Sequence, residues 1–162
     1  VALFPAAHEL EARPAHYQVP GVVVRILDGD TVDLLIGRGR IERIRLEGID
    51  APEKGQPFGT QARKRLAGFC FQREVVVRVS KKDRYRRSIG RVFADGEDLN
   101  QRMLREGMAW HYARFAHEQP AGEHAADAQT EREARAARLG VWSDAAPIPP
   151  WDWRKSGRGA RP

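Results

Sequence analysis

Hydrophobic and polar positions along this chain alternate between a period of two and a period of three to four. After Gly21, VVVRIL precedes Asp28-Gly29-Asp30 and TVDLLI follows it, so two β-branched runs flank an Asp-Gly turn and predict a hairpin. Gly37-Arg38-Gly39 marks a further turn. The next segment places Ile41, Arg43 and Arg45 on one face and Glu42, Ile44 and Leu46 on the other, as a strand in a small curved sheet would. Pro52 and KGQP interrupt the strands, after which Phe58, Ala62, Leu66 and Phe69 recur at helical spacing, with Arg63-Lys64-Arg65 largely on the wet side. Val75, Val77 and Val79 restore a period of two; the basic loop KKDRYRR and a strand around IGRVFA follow, ending at ADGED.

Leu99, Met103 and Leu104 predict a second helix stopped by Gly107 in a left-handed cap. A passage rich in helix formers, from Ala121 to Leu139, predicts a third helix ending at Gly140, with Val141 and Trp142 folding back onto the body. Residues 1–19 read as an extended arm whose His8 and His16 face solvent. Residues 20–142 form the folded domain. In the tail, residues 143–162, prolines argue against ordinary helix or sheet; Trp151 or Trp153 serves as its anchor and the last six residues are expected to fray. Five short strands with one helix before the fourth and two after the fifth predict a small closed or partly closed barrel carrying helices. No Gly-rich phosphate loop joins a strand to a helix, which argues against a nucleotide-binding α/β domain.

Composition narrows the function classes. The 162 residues are 41% hydrophobic and 31% charged, with no apolar run approaching the ~20 residues of a membrane span. Cys70 is the one cysteine, which excludes an intrachain disulfide and a Cys-rich zinc site; between Phe69 and Phe71 it reads as a small buried hydrophobe. His111 and His117 lack a matched acid or nucleophile. The net charge of +6 is matched by residues 78–91 alone, where Arg78, Lys81, Lys82, Arg84, Arg86, Arg87 and Arg91 face the single acid Asp83. Such a run suits a polyanion held without sequence preference, or a solubilising rim.

Three clusters carry candidate chemistry: Asp28-Gly29-Asp30-Thr31, the run from Arg45 through Asp50-Ala51-Pro52-Glu53, and Asp83-Arg84-Tyr85-Arg86-Arg87. Asp30 and Asp50 fall at strand ends, so neighbouring ends would bring both carboxylates to one hard cation. Phosphodiester cleavage needs an activated nucleophile, electrophilic help and charge placed where the transition state develops it. Two metal-holding carboxylates, a third acting on water and two phosphate-clamping arginines meet that need. Arg45 and Arg87 are the natural pair, with Arg84 and Arg86 as competitors.

DGDT, then RLEGIDAPE, then DRYRR followed by IGRVFADG, is an ordered three-part match that resembles the staphylococcal nuclease (thermonuclease) family from about Val22 through Gly107, and less sharply to Trp142. The resemblance implies a five-stranded OB-fold barrel with three helices. It implies a calcium-dependent endonuclease acting on DNA and RNA with little sequence specificity, leaving 3′-phosphate and 5′-hydroxyl ends. It assigns the metal carboxylates to Asp30 and Asp50, a backbone carbonyl ligand to Ala51, the general base to Glu53 and the phosphate arginines to Arg45 and Arg87. Tyr85 matches an aromatic near the bound nucleotide, and Lys82 and Arg84 fall among its phosphate-contacting basic residues. Two departures stand out: Ala51 replaces a frequent Thr, and Arg86 replaces the usual Gly, where a positive φ would strain it.

Hard oxygen ligands also suit magnesium or manganese. The expected partners are DNA and RNA substrates, with no membrane and no obligate protein partner, for a monomer. The first residue, Val, and the GVWSDAAPIPPWDWR ending are similar to processed, exported bacterial members, implying a secreted or periplasmic protein. The alternative is a non-catalytic OB module that binds nucleic acid; retention of all three carboxylates and both arginines disfavours it.

Overall fold

The computed structural model describes residues 17–157; the arm before Tyr17, with His8 and His16, and the last five residues lie outside the described residues. Strand β1 (Tyr17–Asp28) turns through Gly29-Asp30 into β2 (Thr31–Ile36), and β2 pairs antiparallel with β3 (Arg40–Leu46). Two-residue β4 (Ile49–Asp50) and helix α1 (Gly59–Cys70) follow. Strand β5 (Glu74–Lys82) pairs antiparallel with β1 and with β6 (Ser88–Ala94). Parallel pairing of β6 with β3, Ile44 opposite Ser88, closes five strands into a barrel with helices around it, the predicted OB-type architecture.

The barrel closes around the period-two residues. Val23, Val32, Leu34, Ile44, Val77 and Val92 are all but fully buried at its centre, and Leu66 and Phe69 of α1 belong to the same core. Short β7 (Glu97–Asp98) leads into α2 (Leu99–Arg105), where the Asp98 carboxylate accepts the Gln101 N–H as an N-cap. Gly107, with φ of 68°, ends the turn as expected. Strand β8 (Trp110–His111) pairs with β4, and α3 (Ala121–Ala136) packs along α2. The third helix stops earlier than predicted because Arg138, not Gly140, first takes a left-handed φ, of 53°.

The tail corrects an expectation. Prolines there do not exclude helix: Pro150–Lys155 forms α4, with Pro149 at the cap and Pro150 in the first turn, where a missing amide has no helical acceptor to lose. Trp151 of α4 packs on the buried Trp110 and Trp142 cluster, and its ring centroid lies 5.6 Å from that of Tyr112. Strand β1 begins at Tyr17, inside the stretch read as arm. Among the described residues no helix is long and apolar enough to cross a membrane.

Candidate active site

Asp30 closes the β1–β2 turn and Asp50 ends β4, so two separate strand ends deliver carboxylates that are 5% and 1% exposed. They meet at Arg45. Its Nε lies 3.4 Å from Asp30 Oδ1, and its Nη2 donates to Asp50 Oδ1 at 3.3 Å. Nη1 donates to the carbonyls of Leu46 at 2.6 Å and Ile49 at 2.7 Å. Three of the five guanidinium N–H groups are therefore hydrogen-bonded into the site, with Nε in ionic contact with Asp30. In this arrangement Arg45 keeps its Nε N–H and one Nη2 N–H outside those hydrogen bonds.

The loop after β4 is drawn onto Asp30, whose Oδ2 accepts the Ala51 N–H at 2.7 Å and whose Oδ1 accepts the Thr31 hydroxyl at 2.9 Å. Gly29 makes the approach possible: a Cβ there would lie 2.7 Å from the methyls of both Ala51 and Ala62. Burial favours neutral Asp30, but Arg45, a hydrogen bond from Asp28 and those from Ala51 and Thr31 outweigh it and hold its pKa below the ordinary value. Asp50 is displaced upward, by burial and then by the charge of Asp30, against the pull of Arg154 and Arg45. Asp28 moves furthest, pushed up to about 8 by burial and by Asp30, so it keeps its proton at neutral pH and donates it toward Asp30. Its Oδ1 also accepts the Asp30 N–H at 3.0 Å.

Glu53 follows Pro52 on the same loop. Its N–H donates to Gln56 Oε1 at 2.9 Å, and the Gln56 amide donates to the Ile148 carbonyl at 2.7 Å, tying loop to tail. Arg154 of α4 then enters the site. Its Nη1 and Nη2 donate to the two oxygens of Asp50 at 3.2 and 2.8 Å, and Nη1 also donates to Glu53 Oε1 at 2.5 Å. The structure thus brings together Asp30, Arg45, Asp50, Ala51 and Glu53, and adds Asp28 and Arg154.

Arg87, Lys82, Arg84 and Tyr85 lie at the β5–β6 connection. Asp83 organises this turn: its Oδ1 accepts the N–H groups of Tyr85 and Arg87, each at 2.9 Å, and its Oδ2 accepts Arg87 Nε at 2.7 Å. Arg86 does take the positive φ anticipated for it, 64°, a strain of about 1–2 kcal/mol for an L residue. Arg87 is not displaced by that strain but held by Asp83. No contact joins it to the buried carboxylates. The register of Ile44 with Ser88, both inside the barrel, sends Arg45 and Arg87 out through the same sheet face. The guanidiniums of Arg84 and Arg87 flank the Tyr85 ring, which is 64% exposed, at 4.8 and 5.6 Å. Lys82 is paired with Glu42 at 3.0 Å.

The basic run is less bare than its count suggests. Arg78 pairs with Glu123, Lys81 with Glu118 and Arg87 with Asp83. Arg91 is 1% exposed beneath α3, bonded to Asp98, Glu123 and Asp127. Arg84 and Arg86, beside Tyr85, are the charges of the run left to solvent. Cys70 is fully buried, as expected, and burial pushes its thiol up to about 12.

Asp28, Asp83, Gln56 and Arg154 were not singled out as site residues by sequence reasoning. The first two lie inside the quoted motifs, where alternation with Asp30 and Arg87 was a usable signal; Arg154, 104 positions from Asp50, had none.

Comparison with known proteins agrees with this geometry. Residues 43–144 match the family model described as Staphylococcal nuclease homologue. The chain is 44% identical over 156 residues to the Micrococcal nuclease of Shigella flexneri, covering 91% of this chain and 87% of that protein. It is 42% identical to Protein ParB of Escherichia coli, over 93% and 87% of the two chains. It is also 40% identical to an uncharacterized endonuclease of Escherichia coli O157:H7, over 84% and 85%. A barrel of this topology, with the motif carboxylates gathered at its strand ends and relatives matched along most of their length, places the chain in the staphylococcal nuclease family.

Proposed function

We propose that this protein is a divalent-cation-dependent endonuclease that hydrolyses phosphodiester bonds of DNA and RNA with little sequence preference, leaving 3′-phosphate and 5′-hydroxyl ends. The observation that carries the reading is the convergence of buried Asp30 and Asp50 on Arg45, with Glu53 tied into the same cluster through Arg154. The donor chemistry fits a hard cation: Asp50 is driven upward by burial and by Asp30, a charge conflict that a cation relieves. Among the described residues there is no grouping of three or more His, Cys, Asp or Glu set to hold an ion. By the family resemblance the ion would be held by Asp30, Asp50 and the Ala51 carbonyl, with water completing the shell, a set that calcium accepts. When bound, it supplies electrophilic help at the phosphoryl group and lowers the pKa of water.

The chain's own groups supply the rest. Glu53 accepts the proton of the attacking water. Arg45 offers an N–H that lies outside its hydrogen bonds to a phosphoryl oxygen, and Arg87, committed only through Nε, has both Nη groups for the phosphate. Tyr85 gives a base an exposed ring to lie on, with Arg84 and Lys82 beside the strand's phosphates. Denatured DNA and an RNA oligonucleotide, incubated with calcium or with chelator and followed by end-group analysis, test the reading. Calcium-stimulated internal cleavage with 3′-phosphate ends is expected; equal cleavage in chelator, or binding without cleavage, contradicts it.

A further inference from the structure

Helix α4 is built onto the site rather than trailing from it. Pro150 is buried, Trp151 lies against Tyr112, and the Ile148 carbonyl is bonded by Gln56 of the Glu53 loop. This docking delivers Arg154, whose fork spans both oxygens of Asp50 and one of Glu53. Arg154 is the partner that holds the Glu53 side chain, whose loop is otherwise fixed through backbone bonds.

Arg154 leaves room on Asp50 for a cation. A carboxylate offers about four acceptor positions. Asp50 Oδ1 takes Arg45 and Arg154, and Oδ2 takes Arg154, which leaves one position on Oδ2 for an ion. Asp30 accepts from Thr31 at Oδ1, from Ala51 at Oδ2 and from the Asp28 carboxyl, which leaves one position on that carboxylate as well. A guanidinium on the same carboxylate nevertheless repels the ion it helps to frame.

Resting on the nuclease reading above, we infer that Arg154 is a positioning residue for the reaction: it fixes Glu53 relative to Asp50 so that the carboxylate acting on water faces the reacting phosphate, and it does so at the expense of cation affinity. Its removal therefore moves two observables in opposite directions. Calcium binds tighter because a neighbouring positive charge is gone, and cleavage slows because Glu53 is no longer held; misplacement on the ångström scale costs about 10²-fold.

The test measures calcium affinity by calorimetry and single-turnover cleavage of a denatured DNA oligonucleotide at saturating calcium, in wild type, Arg154→Ala and Arg154→Lys, with melting followed by tryptophan fluorescence. For Arg154→Ala the expected result is calcium binding about 3–10-fold tighter and cleavage about 10–100-fold slower. Added methylguanidinium restores part of the rate in that variant and not in wild type. Arg154→Lys keeps the charge but lacks the fork, so calcium affinity stays near wild type while cleavage remains slow. Looser calcium together with slower cleavage makes Arg154 a structural anchor and overturns the inference. Faster cleavage makes it an inhibitory latch and overturns it equally, as does an unchanged pair of values. Wild type without calcium-stimulated cleavage would instead defeat the nuclease reading itself.

Discussion

Asp28 and Asp30 lie two positions apart in one turn, yet neutral pH leaves the first protonated and the second ionised. The difference is one of partners: Asp30 has Arg45, Ala51 and Thr31, whereas Asp28 has burial and the charge of Asp30. The unfolded chain releases the Asp28 proton near 3.8 and the folded chain near 8. The stability that protonated Asp28 supplies is thus complete below the lower value and lost as pH rises through the upper one. Asparagine mimics the protonated form, accepting from the Asp30 N–H and donating to its carboxylate. In chelator, Asp28→Asn is expected to melt about 2–4 °C above wild type at pH 9 and level with it at pH 4; a gap independent of pH would contradict the assignment. The two aspartates Asp30 and Asp50 were legible in the sequence because each falls at a strand end whose alternation is local, and Glu53 was legible through the RLEGIDAPE motif. What Asp28 does was not, since DGD reads as a turn until the fold buries one end of it.

At the scale of elements, His111 on β8 and His124 on α3 face each other, His124 Nδ1 lying 3.1 Å from His111 Nε2. Burial first, and then the neighbouring ring, bring the pKa of His111 down to about 4 from its ordinary 6.5. The stability gained by keeping His111 neutral is present above 6.5 and is lost as pH falls through about 4. Urea midpoints should therefore drop between pH 7 and pH 4 in wild type and drop less in His111→Gln; identical pH dependence in both would remove His111 from the acid sensitivity. The same scale shows where periodicity misleads. Pro149-Pro150 reads as a break in any pattern, but at a helix start it pre-sets φ, so α4 forms where a tail was expected. Its charge then points at Asp50, and that long-range pairing leaves no trace in local spacing.

Across the whole molecule, charges that sequence counts as one basic run are divided between a core network and a surface. Arg91 sits outside the barrel wall on β6 but inside the protein, because α3 covers it and supplies Asp127, itself fully buried. Asp127 also accepts from Gln101 of α2 at 2.5 Å, so one carboxylate joins barrel, α2 and α3. Asp127→Ala should cost about 3 kcal/mol in chemical unfolding, because a buried guanidinium loses a partner it cannot replace with water; a cost below about 1 kcal/mol would show the helices docked by apolar packing alone. With Arg91 removed from the surface count, the face proposed to meet nucleic acid contracts to Tyr85 with its flanking arginines and the mouth over Asp30, Asp50 and Glu53. In the proposed reaction this mouth holds a cation through the two aspartates while Glu53 acts on the water. The direct measurement is calcium calorimetry with single-turnover cleavage on the same preparations of wild type and Glu53→Gln. One calcium per chain is expected in both proteins, with cleavage in Glu53→Gln lower by about two to four powers of ten. Near-normal cleavage by Glu53→Gln with calcium bound, or cleavage by wild type that persists in chelator, would contradict it.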